Sequence, residues 1–395
     1  MLFTIPGTSS LTLCGQPRIE GKVEIRPALG ISAPVLVSVV TVFLQRRESI
    51  HPSADSVTKK HLSTSRKEIT EIVGKEMLLY RCHPGRENEA VLSMDLPFVI
   101  FIPYGKPGDD AGSGRRTTNP PASLQLTSRI AETSYEVVVS LQHSHTERRT
   151  YAFPVTLHRY DTLSTFAMFN RPTSETKESD HLITLSISLP RWSFGPLDPV
   201  SVYIKLVPNP DWLSKARRVT IQKVTIYIDE EIVFNPEGDE PTRKTKTLAK
   251  QSQAVGVKMP EAGYMTNLGV VFPHRDPRDA EGIVPRPKPG FPSYAVSGFT
   301  TTGSLYKIEY YLTVKASLSG AKDVLLRQPI VVCPYDHAQC KLEMEAIELA
   351  AQEALDLREE EPMVPAPVIV KASEPGGLRA LGVAMVGGVR RPMIE

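Results

Sequence analysis

Apolar residues recur at every second position through much of this chain, the period of a half-buried β-strand. Ile19, Val23 and Ile25 alternate with Glu20, Lys22, Glu24 and Arg26. Pro34 to Leu44 is apolar at both parities, which predicts a central strand covered on both faces. Further strands are expected over Lys75–Cys82, Val91–Ile102 and Thr133–Gln142. His51 to Glu71 is polar with scattered basic residues and reads as a long loop or a short helix. In the second half Ile183, Leu185, Ile187 and Leu189 alternate with Thr184, Ser186 and Ser188, and Val200, Val202, Ile204 and Leu206 follow. From Val219 to Phe234 the apolar parity switches between Ile221 and Val224, which predicts a β-bulge. Lys106–Pro121, Asn235–Lys250 and Pro273–Pro292 are polar, rich in proline or glycine, and read as surface loops.

The two halves share a pattern. Tyr135, Val137, Val139 and Leu141 lead through a polar turn to Phe153-Pro154-Val155, and Tyr310, Leu312, Val314 and Ala316 lead to Gln328-Pro329-Ile330. Tyrosine precedes proline by 19 positions in both (154−135 and 329−310). A proline in such a hairpin belongs at an edge or a bulge, because it cannot donate to the ladder. After Pro334 the period changes: Ile347, Ala350, Ala351, Ala354 and Leu357 recur at helical spacing, and the helix should end before Pro362. The expected fold class is all-β. It comprises a first antiparallel sandwich over 1–160, a linker over 161–180 and a second sandwich over 181–335, then a helix over 336–361 and a flexible tail over 362–395.

Composition narrows the function classes. The chain has 395 residues, 46 Lys plus Arg against 44 Asp plus Glu, and a formal charge of +2. A dedicated nucleic-acid binder carries a large basic excess, so no nucleic-acid partner is expected. Cys14, Cys82, Cys333 and Cys340 are too sparse for a disulfide scaffold. Met1–Gly7 has no basic stretch followed by an apolar core, and the apolar run Pro34–Leu44 falls far short of the ~20 residues of a membrane span. A cytosolic protein with at most peripheral membrane contact is expected.

Three segments of the first half, Leu96-Pro-Phe-Val-Ile-Phe-Ile-Pro103, Pro121-Ala-Ser-Leu124 and Ser134-Tyr-Glu-Val-Val-Val139, are similar to the end of an arrestin N-terminal domain. Gly195-Pro-Leu-Asp-Pro-Val-Ser-Val-Tyr-Ile204, Tyr310-Tyr-Leu-Thr-Val314 and Leu326-Arg-Gln-Pro-Ile-Val-Val332 resemble an arrestin C-terminal domain. The order of these motifs over Leu11–Pro334 resembles the α-arrestins, in particular the fungal ones. The resemblance implies two immunoglobulin-like sandwiches and a non-catalytic adaptor. Its expected partners are phosphorylated or acidic cytoplasmic tails of membrane proteins, at the plasma membrane or endosomes, and its role endocytic trafficking or ubiquitylation. Two alternatives share the fold: a receptor-tail-binding scaffold of ambient-pH signalling and a retromer-like coat subunit. Many α-arrestins recruit a HECT-type ubiquitin ligase through Pro-Pro-x-Tyr. Here Pro120-Pro121 is followed by Ala122-Ser123, and the nearest variant is Phe291-Pro292-Ser293-Tyr294.

Candidate chemistry follows the same lines. Lys59, Lys60, Arg66 and Lys67 carry no acidic residue between them, and Arg115-Arg116 lie in the Gly-rich loop. Such groups hold phosphate by charge-assisted hydrogen bonds and attract anionic lipid. These six are the expected binding residues for acidic tails or lipid. Arg243, Lys244, Lys246 and Lys250 form another basic cluster. Asp229-Glu230-Glu231 and Asp239-Glu240 read as solvated carboxylates. Cys333, His337 and Cys340, with Cys82-His83 as a distant fourth, lack the tight spacing of a zinc knuckle, so no metal is expected. No nucleophile elbow, phosphate-binding glycine loop or zincin helix occurs, so neither catalytic residues nor a cofactor is expected.

Overall fold

Alternation becomes strand where it was strict. The computed structural model describes residues 18–27, 33–51, 67–103, 119–126, 130–144, 147–237, 241–276, 278, 283, 288–356, 365–373, 383–386 and 389–392. In the first half, β1 (Arg18–Ile25) and β2 (Val35–Val37) pair with β5 (Glu89–Phe101). The facing sheet has the order β4 (Lys67–Arg81), β3 (Val39–Ile50), β7 (Ala131–Gln142) and β6 (Leu124–Gln125), with β8 (Arg148–Val155) also on β7. Their inner faces enclose Val23, Val42, Leu44, Met94, Leu96, Tyr135, Val137 and Leu141.

The second half repeats the architecture. One sheet runs β9 (Thr173–Ser179), β10 (Ile183–Leu189), β12 (Pro199–Pro208) and β15 (Tyr264–Val271). The other runs β11 (Ser193–Phe194), β18 (Val324–Val332), β17 (Tyr306–Ser319), β13 (Thr220–Phe234) and β14 (Thr242–Lys258), with β16 (Thr301–Thr302) also on β17. The inward positions are mostly apolar: Leu185, Ile187, Val202, Ile204, Ile226, Ile228, Leu312 and Val314 fill the space between the sheets. Each such side chain contributes about 1.5–3 kcal/mol on burial. The core is shared, since Ile50, Ala122, Leu124, Leu126 and Ala131 of the first half belong to this second cluster.

The bulge in β13 lies where the parity switched, with the register shifting between Ile221 and Lys223. The two tyrosine–proline hairpins align: Tyr135 faces Val155 beside Glu136 and Pro154, and Tyr310 faces Ile330 beside Tyr311 and Pro329. Several segments differ from expectation. β4 begins at Lys67 inside the expected loop, and β14 starts inside the expected loop 235–250. Both are edge strands, held by backbone pairing to one neighbour, so exposed polar side chains cost them nothing. Within the expected linker, Thr173–Ser179 is strand β9, paired along its length with β10. Within the expected tail, β19 (Val368–Lys371) pairs with β5 on the edge opposite β1, because Met94 faces both Ile25 and Ile369. Farther on, β20 (Val383–Val386) and β21 (Val389–Pro392) form a hairpin.

The helices are α1 (Leu213–Ala216), a single turn, and α2 (His337–Asp356). Asp336 caps α2, its Oδ1 accepting from Gln339 N at 2.8 Å. Cys340, Met344 and Ile347 pack α2 on Tyr160, Leu163 and Phe166 of the connector. An aromatic joint lies beside it. The hydroxyls of Tyr335 and Tyr294 stand 2.9 and 3.3 Å from His158 Nδ1. Tyr160 stacks on both His158 and Tyr335. Burial lowers the His158 pKa below its ordinary 6.5, against the opposing charge of Glu343. The neutral ring is therefore the native form, with both tyrosine hydroxyls within hydrogen-bonding reach of Nδ1.

Because unfolding raises this pKa, the unfolded chain binds more protons below about pH 6.5, and the His158 contribution shrinks as pH falls through that value. Thermal denaturation from about pH 7.5 to about pH 5 should show a steeper loss of stability in wild type than in His158→Phe. Parallel pH profiles for the two proteins would contradict the assignment.

Candidate functional site

Of the basic residues expected to take acidic tails, Lys59, Lys60, Arg66, Arg115 and Arg116 lie outside the described residues. Lys67 opens β4, and its Nζ donates to Asn235 Oδ1 at 2.6 Å, a bond from the first half to the turn after β13. Pro292 is half-buried, and Tyr294 packs edge-on against Phe299 with ring centroids 5.0 Å apart. Burial is also the first cause that keeps the Tyr294 phenol protonated, well above its ordinary value. To enter a ligase groove as an extended peptide, Phe291–Tyr294 would have to leave this aromatic joint.

The three consecutive carboxylates of β13 are buried, which corrects their reading as solvated groups. β13 is an inner strand, paired on both sides, and its side chains from Asp229 to Phe234 are all enclosed. Each carboxylate accordingly has a partner. Asp229 accepts from Thr247 Oγ1 at 2.7 Å, and Glu230 from the Tyr310 hydroxyl at 2.8 Å. Glu231 sits between Arg327 at 2.6 Å and Arg243 at 2.9 Å. Burial pushes the Glu231 pKa up, but the two guanidiniums outweigh it and hold the group below the ordinary carboxylate value. Burial and then the Glu230 charge push the Tyr310 phenol far above its ordinary value, so it remains a donor. Beside Tyr310 a pocket of about 150 Å³ opens, lined among others by Lys246, His274, Arg275 and Gly298.

A second buried carboxylate joins the halves. Glu48 on β3 is 1% exposed, and its Oε2 accepts from Ser304 N at 2.8 Å and Leu305 N at 3.0 Å. Arg46 Nε stands 3.3 Å from the other oxygen. Arg46 Nη2 reaches Ser304 Oγ at 2.9 Å and pairs with Glu71 at 2.5 Å. Nearby, Thr133 Oγ1 and the Tyr306 hydroxyl are 2.8 Å apart. Gly303 is required here, since a Cβ would lie 2.8 Å from Glu48 Oε2. That oxygen is pinned by two amides and cannot give way.

Three of the four cysteines lie among the described residues. Cys333 and Cys340 are buried with sulfurs 3.7 Å apart, while Cys82 bonds within the first half to Ser38 and Arg86. Among the described residues no three His, Cys, Asp or Glu side chains come together to hold an ion.

Two antiparallel sandwiches joined by a short connector, with a helix laid over it, form the frame. Residues 179–337, from the end of β9 to the start of α2, match the family model of the arrestin (or S-antigen) C-terminal domain. Over that span the chain is arrestin-like. No curated protein matches it. The arrestin-like half contains β13 with its buried carboxylates, the basic strand β14 and the 303–305 turn that meets Glu48. Each of its buried carboxylates is taken up by an internal partner.

Glu48→Gln removes the charge that strengthens the bonds to the Ser304 and Leu305 amides and leaves Arg46 with Glu71 alone, and should cost about 1.5–3 kcal/mol of stability. Gly303→Ala should destabilise through the same oxygen. Exposed Glu20→Gln should change stability by no more than about 0.5 kcal/mol. Denaturant titration of the three variants checks this, and equal midpoints for Glu48→Gln and Glu20→Gln would refute the role of Glu48.

Proposed function

We propose that this protein is a cytosolic, non-catalytic adaptor that binds phosphorylated or acidic tails of membrane proteins and links them to endocytic trafficking or ubiquitylation machinery. The observation that carries the reading is the arrestin C-terminal match over 179–337, set in a chain with another two-sheet sandwich ahead of it. Lys59, Lys60 and Arg66, with Arg115 and Arg116, supply positive charge on the first half for such tails. One exposed ion pair contributes only about 0–1 kcal/mol, so capture depends on several acting together. A HECT-type ligase, in this reading, contacts a surface other than Phe291–Tyr294, whose tyrosine is packed inside. Peripheral contact with the plasma membrane or endosomes accompanies cargo binding. No helix among the described residues is long and apolar enough to cross a membrane.

Proximity labelling by the full chain in cells tests the reading. It should mark membrane proteins with acidic or phosphorylated tails. Lys59→Glu with Lys60→Glu and Arg66→Glu should lower that labelling about tenfold, taking each exposed charge at its usual modest worth. Lys67 is left intact because it bridges to Asn235. A labelled set without membrane proteins would overturn the adaptor reading, and stable recovery of coat subunits would replace it with a coat role.

A further inference from the structure

β14 is 17 residues long, with most positions exposed and none buried. It ends its sheet, pairing with β13 on one side only. Among the described residues, no backbone group of Thr242–Lys258 bonds to anything beyond β13. Half of its N–H and C=O groups therefore point outward from the sheet. The neighbouring edge, β15 of the facing sheet, is treated differently. Gln251 reaches across to accept from Gly269 N at 2.9 Å, and Gln253 accepts from Thr266 Oγ1 at 2.8 Å. β15 is thus partly blunted by side chains of β14, and β14 itself is left open.

The charge on this strand is one-sided. Arg243, Lys244, Lys246, Lys250 and Lys258 are basic, and no acidic residue lies between Thr242 and Lys258. Arg243 is committed to Glu231. Lys244, Lys246, Lys250 and Lys258 make no ion pair among the described residues. The register places them on both faces. Lys246 faces Glu230, whose carboxylate meets core Tyr310, whereas Lys250 faces Tyr227 on the other side of the ladder. With Lys244 and Lys246 on one face and Lys250 on the other, the charges flank a ligand lying along the edge from both sides, whereas a flat anionic bilayer would meet only one face.

We propose that β14 accepts an extended acidic peptide as an added strand, its backbone pairing with the open edge and its carboxylates meeting Lys244, Lys246 and Lys250. Strand addition draws affinity from main-chain hydrogen bonds and selectivity from alternate side chains. Lysines on an edge also repel neutral and basic strands. The same residues thus admit an acidic strand and exclude a second copy of this basic one. The inference rests on the acidic-tail reading above and adds a second contact, on the arrestin-like half, to the one proposed at Lys59, Lys60 and Arg66.

The test uses the full chain and a short fluorescent peptide alternating Glu with Thr. Anisotropy should show binding that weakens with salt, and hydrogen exchange should slow in 242–258 on peptide addition. Lys244→Gln with Lys246→Gln and Lys250→Gln should weaken binding about tenfold. A peptide of the same sequence, N-methylated at alternate residues along one edge, should lose binding, because its ladder donors are gone. Equal affinity for wild type and the triple variant would overturn the site at β14 while leaving the adaptor reading standing. Undiminished binding of the N-methylated peptide would overturn strand addition in favour of ionic contact alone. Absence of any exchange protection in 242–258 would overturn the proposal on wild type, whatever the variant's folding. Failure of the adaptor reading itself is read separately, from the proximity-labelled set.

Discussion

Backbone N–H and C=O groups must be paired wherever they leave water, and this constraint organises the whole protein. β13 shows its consequence most fully. Bonded to β17 on one side and β14 on the other, it runs through the second sandwich as an inner strand for 15 residues. Past its bulge nearly every side chain it bears is buried, on either face, acidic ones included. Asp229, Glu230 and Glu231 are buried because the ladder holds them there, and Thr247, Tyr310, Arg243 and Arg327 answer each in turn. The strands that end the sheets face the opposite situation. β4 and β14 need only one neighbour, and their polar side chains remain in solvent.

Buried charge also decides how the halves meet. Glu48 projects from β3 of the first half onto the 303–305 turn of the second, and two backbone amides close on one of its oxygens. Around it the contact is partly apolar, since Ile50, Leu124 and Leu126 join the second core. The apolar contribution is non-directional, whereas the carboxylate-to-amide bonds require a single register. The aromatic joint around His158 adds a further contact where connector, 291–299 segment and α2 converge. Together these contacts fix the two sandwiches against one another at several points.

Two of the sheet edges are occupied differently. That of β5 opposite β1 is taken by β19 of the chain itself, with Lys371 Nζ 3.2 Å from buried Glu89. Tyr80 donates to the same carboxylate and, with Lys371, holds its pKa below the ordinary value against the effect of burial. β14 has no such cover among the described residues. An apolar strand with one lysine closes the first edge, and a row of lysines lines the second.

The alternation of Ile183–Leu189, Val200–Leu206 and Tyr310–Ala316 made the all-β class legible from sequence, because a strand packed on one face must repeat every two residues. The bulge in β13 and the helix after Pro334 were legible for the same reason, a change of period. β14, the start of β4, β9 and β19 were not. A strand held by its backbone at a sheet edge places no demand on side-chain period, so nothing in its residues announces it. The fate of Asp229–Glu231 was hidden likewise, since their partners Thr247, Arg243, Tyr310 and Arg327 lie 12 to 96 positions away. Composition and period determined by themselves which residues must leave water. Which charges go with them, and which edge stays open, was decided only by the tertiary fold, because pairing is a property of neighbours in space.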